Sequence, residues 1–247
     1  MADGPLTGRR VLVTGGGRGI GAAIVERLMA DGAAVVLTYR RDVEAARAIG
    51  AAGALRLDLA EPDSVDAVVD GAVGILGGLD GIVSNAGTAS RGKAVADTDL
   101  AELQRALSVH AVGPHRLCHA GLPHLRAADR SDIVFVSSVA AHAPMAGGAP
   151  YVMGKLAVEG LARVLAREER AHGVRVNVVA PGLVDTEMGR RLVRATTGIT
   201  DIRDLDAASP FGRVCAPADV ADVVGFLLSP AGAYVNDQRI AIDGGTF

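Results

Sequence analysis

The sequence has no tryptophan and few other aromatic residues, and only two cysteines among 247 residues. Cys118 and Cys215 supply neither a disulfide framework nor a metal-ligand spacing, so each reads as a small buried hydrophobe. No stretch approaches the ~18 uninterrupted apolar residues that span a bilayer. The opening Met-Ala-Asp-Gly-Pro-Leu-Thr-Gly lacks the charged and apolar regions of a signal peptide. A net charge of −3 offers no attraction to nucleic acid or an anionic membrane. These absences predict a soluble, cytoplasmic protein with neither as a partner.

What the chain has in abundance is Ala, Val and Leu, enough for one large core in a chain of this length. Short aliphatic runs at 10–14, 35–39, 54–58, 81–84, 133–137, 174–179 and 240–243 read as strands. Helix-length segments at 18–31, 42–49, 62–76, 97–126 and 150–172 lie between them, with Pro114 and Pro123 predicting kinks or breaks. Strand–helix alternation of this kind predicts a parallel sheet with helices on both faces. Residues 183–213 mix helical pieces with Thr, Gly, Asp and Pro, and such an excursion reads as a lid or binding loop.

After the first run comes Thr14-Gly15-Gly16-Gly17-Arg18-Gly19-Ile20-Gly21, and then a helix. Gly15 suits the tight turn, Gly19 a close approach to a pyrophosphate, and Gly21 close packing of helix on sheet. Phosphates would lie over free amides at the helix's positive end. A glycine turn alone is a weak signal; its place between strand and helix is the context the motif requires. An acid at the end of the second strand, to hold ribose hydroxyls, marks NAD selectivity. Here Tyr39, Arg40 and Arg41 stand there, with Asp42 beyond the strand end. Arginine suits a 2′-phosphate, and Arg18 adds a second cation. NADP(H) is therefore preferred, with NAD(H) left open; the alternative for the arginines is a solvated surface, the reading favoured for Arg41.

At the other end of the chain, Ser138 is followed thirteen residues later by Tyr151, and Lys155 lies four residues beyond. Residues four apart on a helix share a face, so the Lys155 ammonium can approach the Tyr151 phenol. A fixed cation favours phenolate over an ordinary pKa of about 10. The spacing thus predicts a tyrosine tuned for proton transfer.

Taken together, these motifs resemble the short-chain dehydrogenase/reductase family over essentially the full length, nearest to the β-ketoacyl carrier-protein reductases and related ketoreductases. Asp58-Leu59 resembles the family's adenine contact, Asn85-Ala86-Gly87 its Asn-Ala-Gly motif, and Pro181-Gly182 with Thr186 the segment flanking the nicotinamide. The resemblance implies a single-domain Rossmann-type fold, a doubly wound parallel sheet of about seven strands. It implies that Tyr151 exchanges a proton with the substrate oxygen and that Ser138 holds that oxygen. Lys155 would bind the nicotinamide ribose and depress the tyrosine pKa. The thirteen-residue spacing selects Ser138 over the adjacent Ser137. A homotetramer, or a homodimer, is implied as well.

Two places depart from the family pattern. His110 stands where many members carry an asparagine whose carbonyl holds a relay water. It reads either as a titrating group, with an ordinary pKa near 6.5, or as a structural histidine filling the asparagine's space. Asn236-Asp237-Gln238 replaces a Gly-Gln step; a non-glycine residue there requires a different turn, and Asp or Asn tolerates left-handed geometry better than most.

Substrate recognition is expected from residues after Asn85, from 142–150 including Met145, and from 183–213 including Met188. Arg190, Arg191 and Arg194 could admit an anionic or carrier-bound tail, or could form a solvated helix face. Arg130 and Arg175 only partly suggest carrier-protein docking. His115 and His119 are four apart without a third ligand nearby, so no metal is expected. The overall reading is an oxidoreductase that takes a small-molecule ketone, 3-oxoacyl or polyketide-like, to a secondary alcohol with NADPH. The reverse oxidation, and a dinucleotide-binding sensor without turnover, are the alternatives.

Overall fold

The computed structural model describes residues 4–61 and 63–247. The seven aliphatic runs form β1 (Arg10–Val13), β2 (Ala34–Tyr39), β3 (Gly53–Arg56), β4 (Gly81–Ser84), β5 (Ser131–Val136), β6 (Val174–Pro181) and β7 (Arg239–Ile242). They make one sheet in the order β3-β2-β1-β4-β5-β6-β7, every pairing parallel. The order reverses between β1 and β4, and ligands of such sheets bind in the crevice this reversal opens.

Among the described residues eight α-helices accompany the sheet: α1 (Gly19–Ala30), α2 (Val43–Ala48), α3 (Asp63–Leu76), α4 (Leu100–Leu107), α5 (Gly113–Arg126), α6 (Ala149–Glu168), α7 (Glu187–Thr197) and α8 (Pro217–Leu228). Successive strand side chains point to opposite faces. Val11, Val13, Val134 and Val136 accordingly join the core beneath α1 and α8. Leu12, Ile133 and Phe135 join the core beneath α3, α5 and α6. Both faces are apolar, which is why the strands read as unbroken aliphatic runs.

The boundaries differ from the sequence reading in instructive places. The stretch 97–126 is not broken by its prolines: α4 runs through a π-helical turn, Ser108–Val112, straight into α5. Pro114 stands in the first turn of α5, where a missing N–H costs little. Pro123 lies inside α5 near its end. The helix expected over 150–172 is α6 followed by a 3-10 turn, Arg170–His172. Residue 62, the expected start of α3, and residues 1–3 of the N-terminal segment lie outside the described residues. Among the described residues no helix is long and apolar enough to cross a membrane.

Asp132, at the amino end of β5, is buried between Arg9 at 2.5 Å and Arg175, with Arg130 at 3.8 Å. Arg175 also donates to the carbonyls of Leu227 and Gly232, and Arg130 to those of Leu228 and Ser229. The two arginines read as hints of carrier docking are thus anchors for the end of α8. They sit at the edge of the sheet opposite Ser138.

Phe135 is fully buried at the centre of the sheet. Phe135→Ala is expected to lower unfolding free energy by about 3–5 kcal/mol, measured by denaturant titration.

Candidate active site

A parallel sheet puts the carboxyl ends of all its strands at one edge. Thr14 after β1, Asn85 after β4, Ser138 after β5 and Gly182 after β6 therefore meet there.

Gly15 and Gly19 take left-handed backbone, φ +66° and +55°, as the turn requires. A Cβ at Gly21 would strike the Gly15 carbonyl, so only glycine lets α1 start this close to β1. No side chain caps α1 at Arg18, and its first turn holds no acid. Its amides are left to meet an anion. The turn is locked from below: Gly15 N–H donates to Thr38 Oγ1 at 3.1 Å, and Asn85 Nδ2 to the Thr14 carbonyl at 2.9 Å. Asn85 and Ala86 both donate their backbone N–H to Thr14 Oγ1. This cradle fits a dinucleotide pyrophosphate.

Other expected contacts fall around the same edge. Thr186 caps α7 by accepting from Gly189 N–H at 3.1 Å. Its methyl would lie 3.4 Å from a Cβ at Gly19, so α7 begins directly over the glycine turn. Ile20 is half-buried beside it, and Pro181 closes β6. Arg18 is exposed and paired to Glu187 of α7 at 2.6 Å. Asp58 accepts from Ala60 N–H at 3.1 Å, while the Leu59 side chain is buried in the core. A nucleotide at Leu59 would therefore touch backbone. Tyr39 and Arg40 are half-buried at the end of β2. Asp42 is turned away as the cap of α2, accepting from Ala45 N–H at 2.9 Å.

The serine, tyrosine and lysine come together. α6 begins just before Tyr151, so Tyr151 and Lys155 lie one turn apart. The Ser138 hydroxyl faces the Tyr151 phenol and favours its ionised form. Lys155 is buried, with Nζ donating to the Val136 carbonyl at 2.7 Å and lying 5.6 Å from the centre of the Tyr151 ring. Burial pulls Lys155 down to about 8, against the field of Glu159. The expectation that Lys155 depresses the tyrosine is not met here. Burial pushes the phenol above its ordinary 10, and only the Ser138 hydroxyl opposes it. The reason is steric and local: the ammonium is drawn to a strand carbonyl rather than to the phenol oxygen.

The family model described as Enoyl-(Acyl carrier protein) reductase matches residues 15–246. The chain belongs to the short-chain dehydrogenase/reductase family. These are oxidoreductases acting between CH–OH and C=O groups. The 2,5-dichloro-2,5-cyclohexadiene-1,4-diol dehydrogenase of Sphingobium indicum is 35% identical, over 99% of this chain and 98% of its own length. The 3-oxoacyl-[acyl-carrier-protein] reductase MabA of Mycobacterium bovis is 33% identical, over 99% and 95%. A solved structure of a short-chain dehydrogenase from Burkholderia cenocepacia, in complex with NADP, superposes with a TM-score of 0.87. It is 35% identical and covers 98% of both chains.

Both departures from the family pattern have a structural account. Asp237 adopts φ +58°, the left-handed turn for which the family uses glycine. Its neighbour Asn236 secures the turn by accepting from Val176 N–H and donating to the Ala166 carbonyl. His110 sits in the π-helical turn, buried, its ring edge-on to Tyr151 at 5.4 Å. Nε2 lies 2.8 Å from the Thr88 carbonyl, to which its Nε2–H tautomer donates. Gly87 and Gly154 make room for the residue: a Cβ at Gly87 would lie 2.8 Å from the ring, and one at Gly154 2.7 Å from the His110 Cβ. Burial, then the Lys155 charge, lowers the imidazole to about 3, against the Thr88 hydrogen bond. His110 is neutral at working pH, so the titrating reading gives way to the structural one.

Met145 and Met188 are both exposed. The loop bearing Met145 rests on the segment after β4, for a Cβ at Gly147 would lie 2.6 Å from the Gly92 carbonyl. Arg190 and Arg191 are paired to Asp185 and Glu187, which favours the solvated-face reading. Glu159, one turn beyond Lys155, is buried and accepts from Ser137. Sequence reasoning passed over it. The signal was a carboxylate at i+4 on the face that carries Lys155.

The folded pKa of His110 lies below the unfolded value of about 6.5, so its contribution to stability is complete above pH 6.5 and is lost as pH falls toward 3. Urea melts at pH 7, 6 and 5 are expected to show a slope of up to about 1.4 kcal/mol per pH unit from this group. His110→Asn removes it and leaves the neutral pH–rate profile unchanged.

Proposed function

We propose that the protein reduces a ketone to a secondary alcohol with NADPH. The observation that carries this reading is the Tyr151 phenol beside Ser138, with Lys155 Nζ 5.6 Å from the centre of its ring, at the sheet edge that holds the glycine turn. When bound, the nicotinamide supplies the hydride. Ser138 orients the carbonyl oxygen beside the phenol. Tyr151 gives that oxygen its proton, and its raised pKa keeps the phenol protonated through neutrality, the state a reduction consumes. Lys155 offers its ammonium to the ribose hydroxyls and restores the charge behind the tyrosine. Residues 183–213 act as a lid over the site. Phe211, exposed and at φ +57°, is a strained position within it, beside Gly244.

NADPH is preferred because Arg40 stands at the end of β2 while Asp42, the nearby acid, is committed to capping α2. The NADP complex of the Burkholderia relative supports the choice. A 3-oxoacyl or polyketide-like ketone fits the exposed, apolar Met145 and Met188, in line with the substrate in the mycobacterial relative's name. Carrier docking has lost the support of Arg130 and Arg175. The reverse reaction, oxidation of a secondary alcohol, is the second reading, favoured by the Sphingobium dehydrogenase. Met153, Leu156 and Val164, exposed along the outer face of α6, offer a surface for the homotetramer.

Tyr151→Phe is expected to keep NADPH binding, read by nucleotide fluorescence, and to lose turnover of a ketone panel by about 10²–10⁴-fold. A wild-type protein that binds NADPH and turns over neither ketone nor alcohol would establish the sensor instead. Arg40→Ala should raise KM for NADPH about tenfold or more, the loss of one charge-assisted contact, and leave KM for NADH unchanged in steady-state assays.

A further inference from the structure

We propose that Glu159 is a positioning residue, whose buried carboxylate holds the strand end bearing Ser138 and the head of the substrate loop in register with α6. The inference rests on the oxidoreductase reading above and concerns the same site.

Glu159 lies on α6 one turn beyond Lys155 and is 3% exposed. Both of its oxygens are engaged. Oε1 accepts from Ser137 Oγ at 2.6 Å and from Arg239 Nε at 3.1 Å. Oε2 lies 2.7 Å from His142 Nε2. Arg239 then reaches the Ser138 carbonyl with Nη2 at 3.4 Å. The partners come from three places: Ser137 from the end of β5, His142 from the loop leading to Met145, and Arg239 from the start of β7. One carboxylate thereby ties together the segments that present the serine, the substrate loop and the tyrosine.

Apolar packing could not do the same. Val158 and Ala162, flanking Glu159 on α6, are buried aliphatic residues, and another would fill the space. A buried ion pair seldom adds more stability than apolar side chains of its volume; the retained benefit is direction. Here the direction is useful, because Ser138 has extended backbone, φ −162° and ψ 152°. Ser137 directly precedes Ser138, so holding the Ser137 hydroxyl on Glu159 fixes the backbone from which Ser138 faces Tyr151. Adjacent serines grip α6 at two points, one at each end of the catalytic face.

Lys155 faces Tyr151 and Glu159 on α6, the Val136 carbonyl on β5 and neutral His110 on the π-helical turn. Glu159 is the anion among these groups, and it supports the charged lysine.

The test uses Glu159→Gln and Ser137→Ala, neither of which touches substrate or cofactor. Glu159→Gln is expected to lower kcat about tenfold or more while the NADPH dissociation constant stays within about twofold, and to move the alkaline limb of kcat to lower pH. Ser137→Ala should lower kcat less and leave that limb in place. Backbone hydrogen exchange over residues 137–142 should quicken in Glu159→Gln and not at the glycine turn. Wild-type kcat and pH profile in Glu159→Gln would overturn the proposal, as would a loss of kcat that only parallels lost NADPH binding and lost melting temperature. If the wild type turns over neither ketone nor alcohol, hydrogen exchange decides: quickening confined to 137–142 supports the role, and unchanged exchange there overturns it.

Discussion

Everything functional in this molecule depends on the parallel pairing of its seven strands. Parallel strands end at one edge, and the residue following each strand is delivered there whatever its distance in sequence. The glycine turn follows β1, Asn85 follows β4, Ser138 follows β5 and Gly182 follows β6. Thr14 and Asn85 then bond the first two of these to each other, so the nucleotide cradle is a rigid part of the sheet edge. The opposite edge has a structural task, gathering Arg9, Arg130 and Arg175 around Asp132 and the end of α8.

Against that edge lies α6, and its helical period orders the chemistry. Tyr151, Lys155 and Glu159 follow one another at single turns. The first meets Ser138 and the third meets Ser137, with the lysine held between them on a strand carbonyl. The tyrosine's own burial raises its pKa, while the lysine is held on a strand carbonyl. Charge from Lys155 is present, but it is aimed at the backbone.

Much of this was legible in the sequence. Seven strands and a glycine turn at the head of α1 were readable because aliphatic runs and glycine spacing are local signals. Ser138, Tyr151 and Lys155 were singled out by their spacing and the family resemblance, and the fold brings them together; Asp237 was read as needing a different turn, yet it takes left-handed backbone itself. The arginines were harder. Arg130 and Arg175 read as partial hints of carrier docking, whereas Asp132 and the carbonyls of α8 claim them. Pro114 read as a kink or break, yet the helix continues through it directly after the π-helical turn.

The sequence by itself determined the order of elements, the glycine turn and the spacing that sets Tyr151 and Lys155 on one helical face. These follow from periodicity, glycine geometry and spacing, which act over a few residues. Tertiary structure alone decided the charge states and the supporting contacts. Whether His110 titrates depends on its burial against Gly87 and Gly154, and whether Glu159 matters depends on what converges upon it. Desolvation and long-range hydrogen bonds arise only when distant segments are packed together, so a linear reading has no access to them.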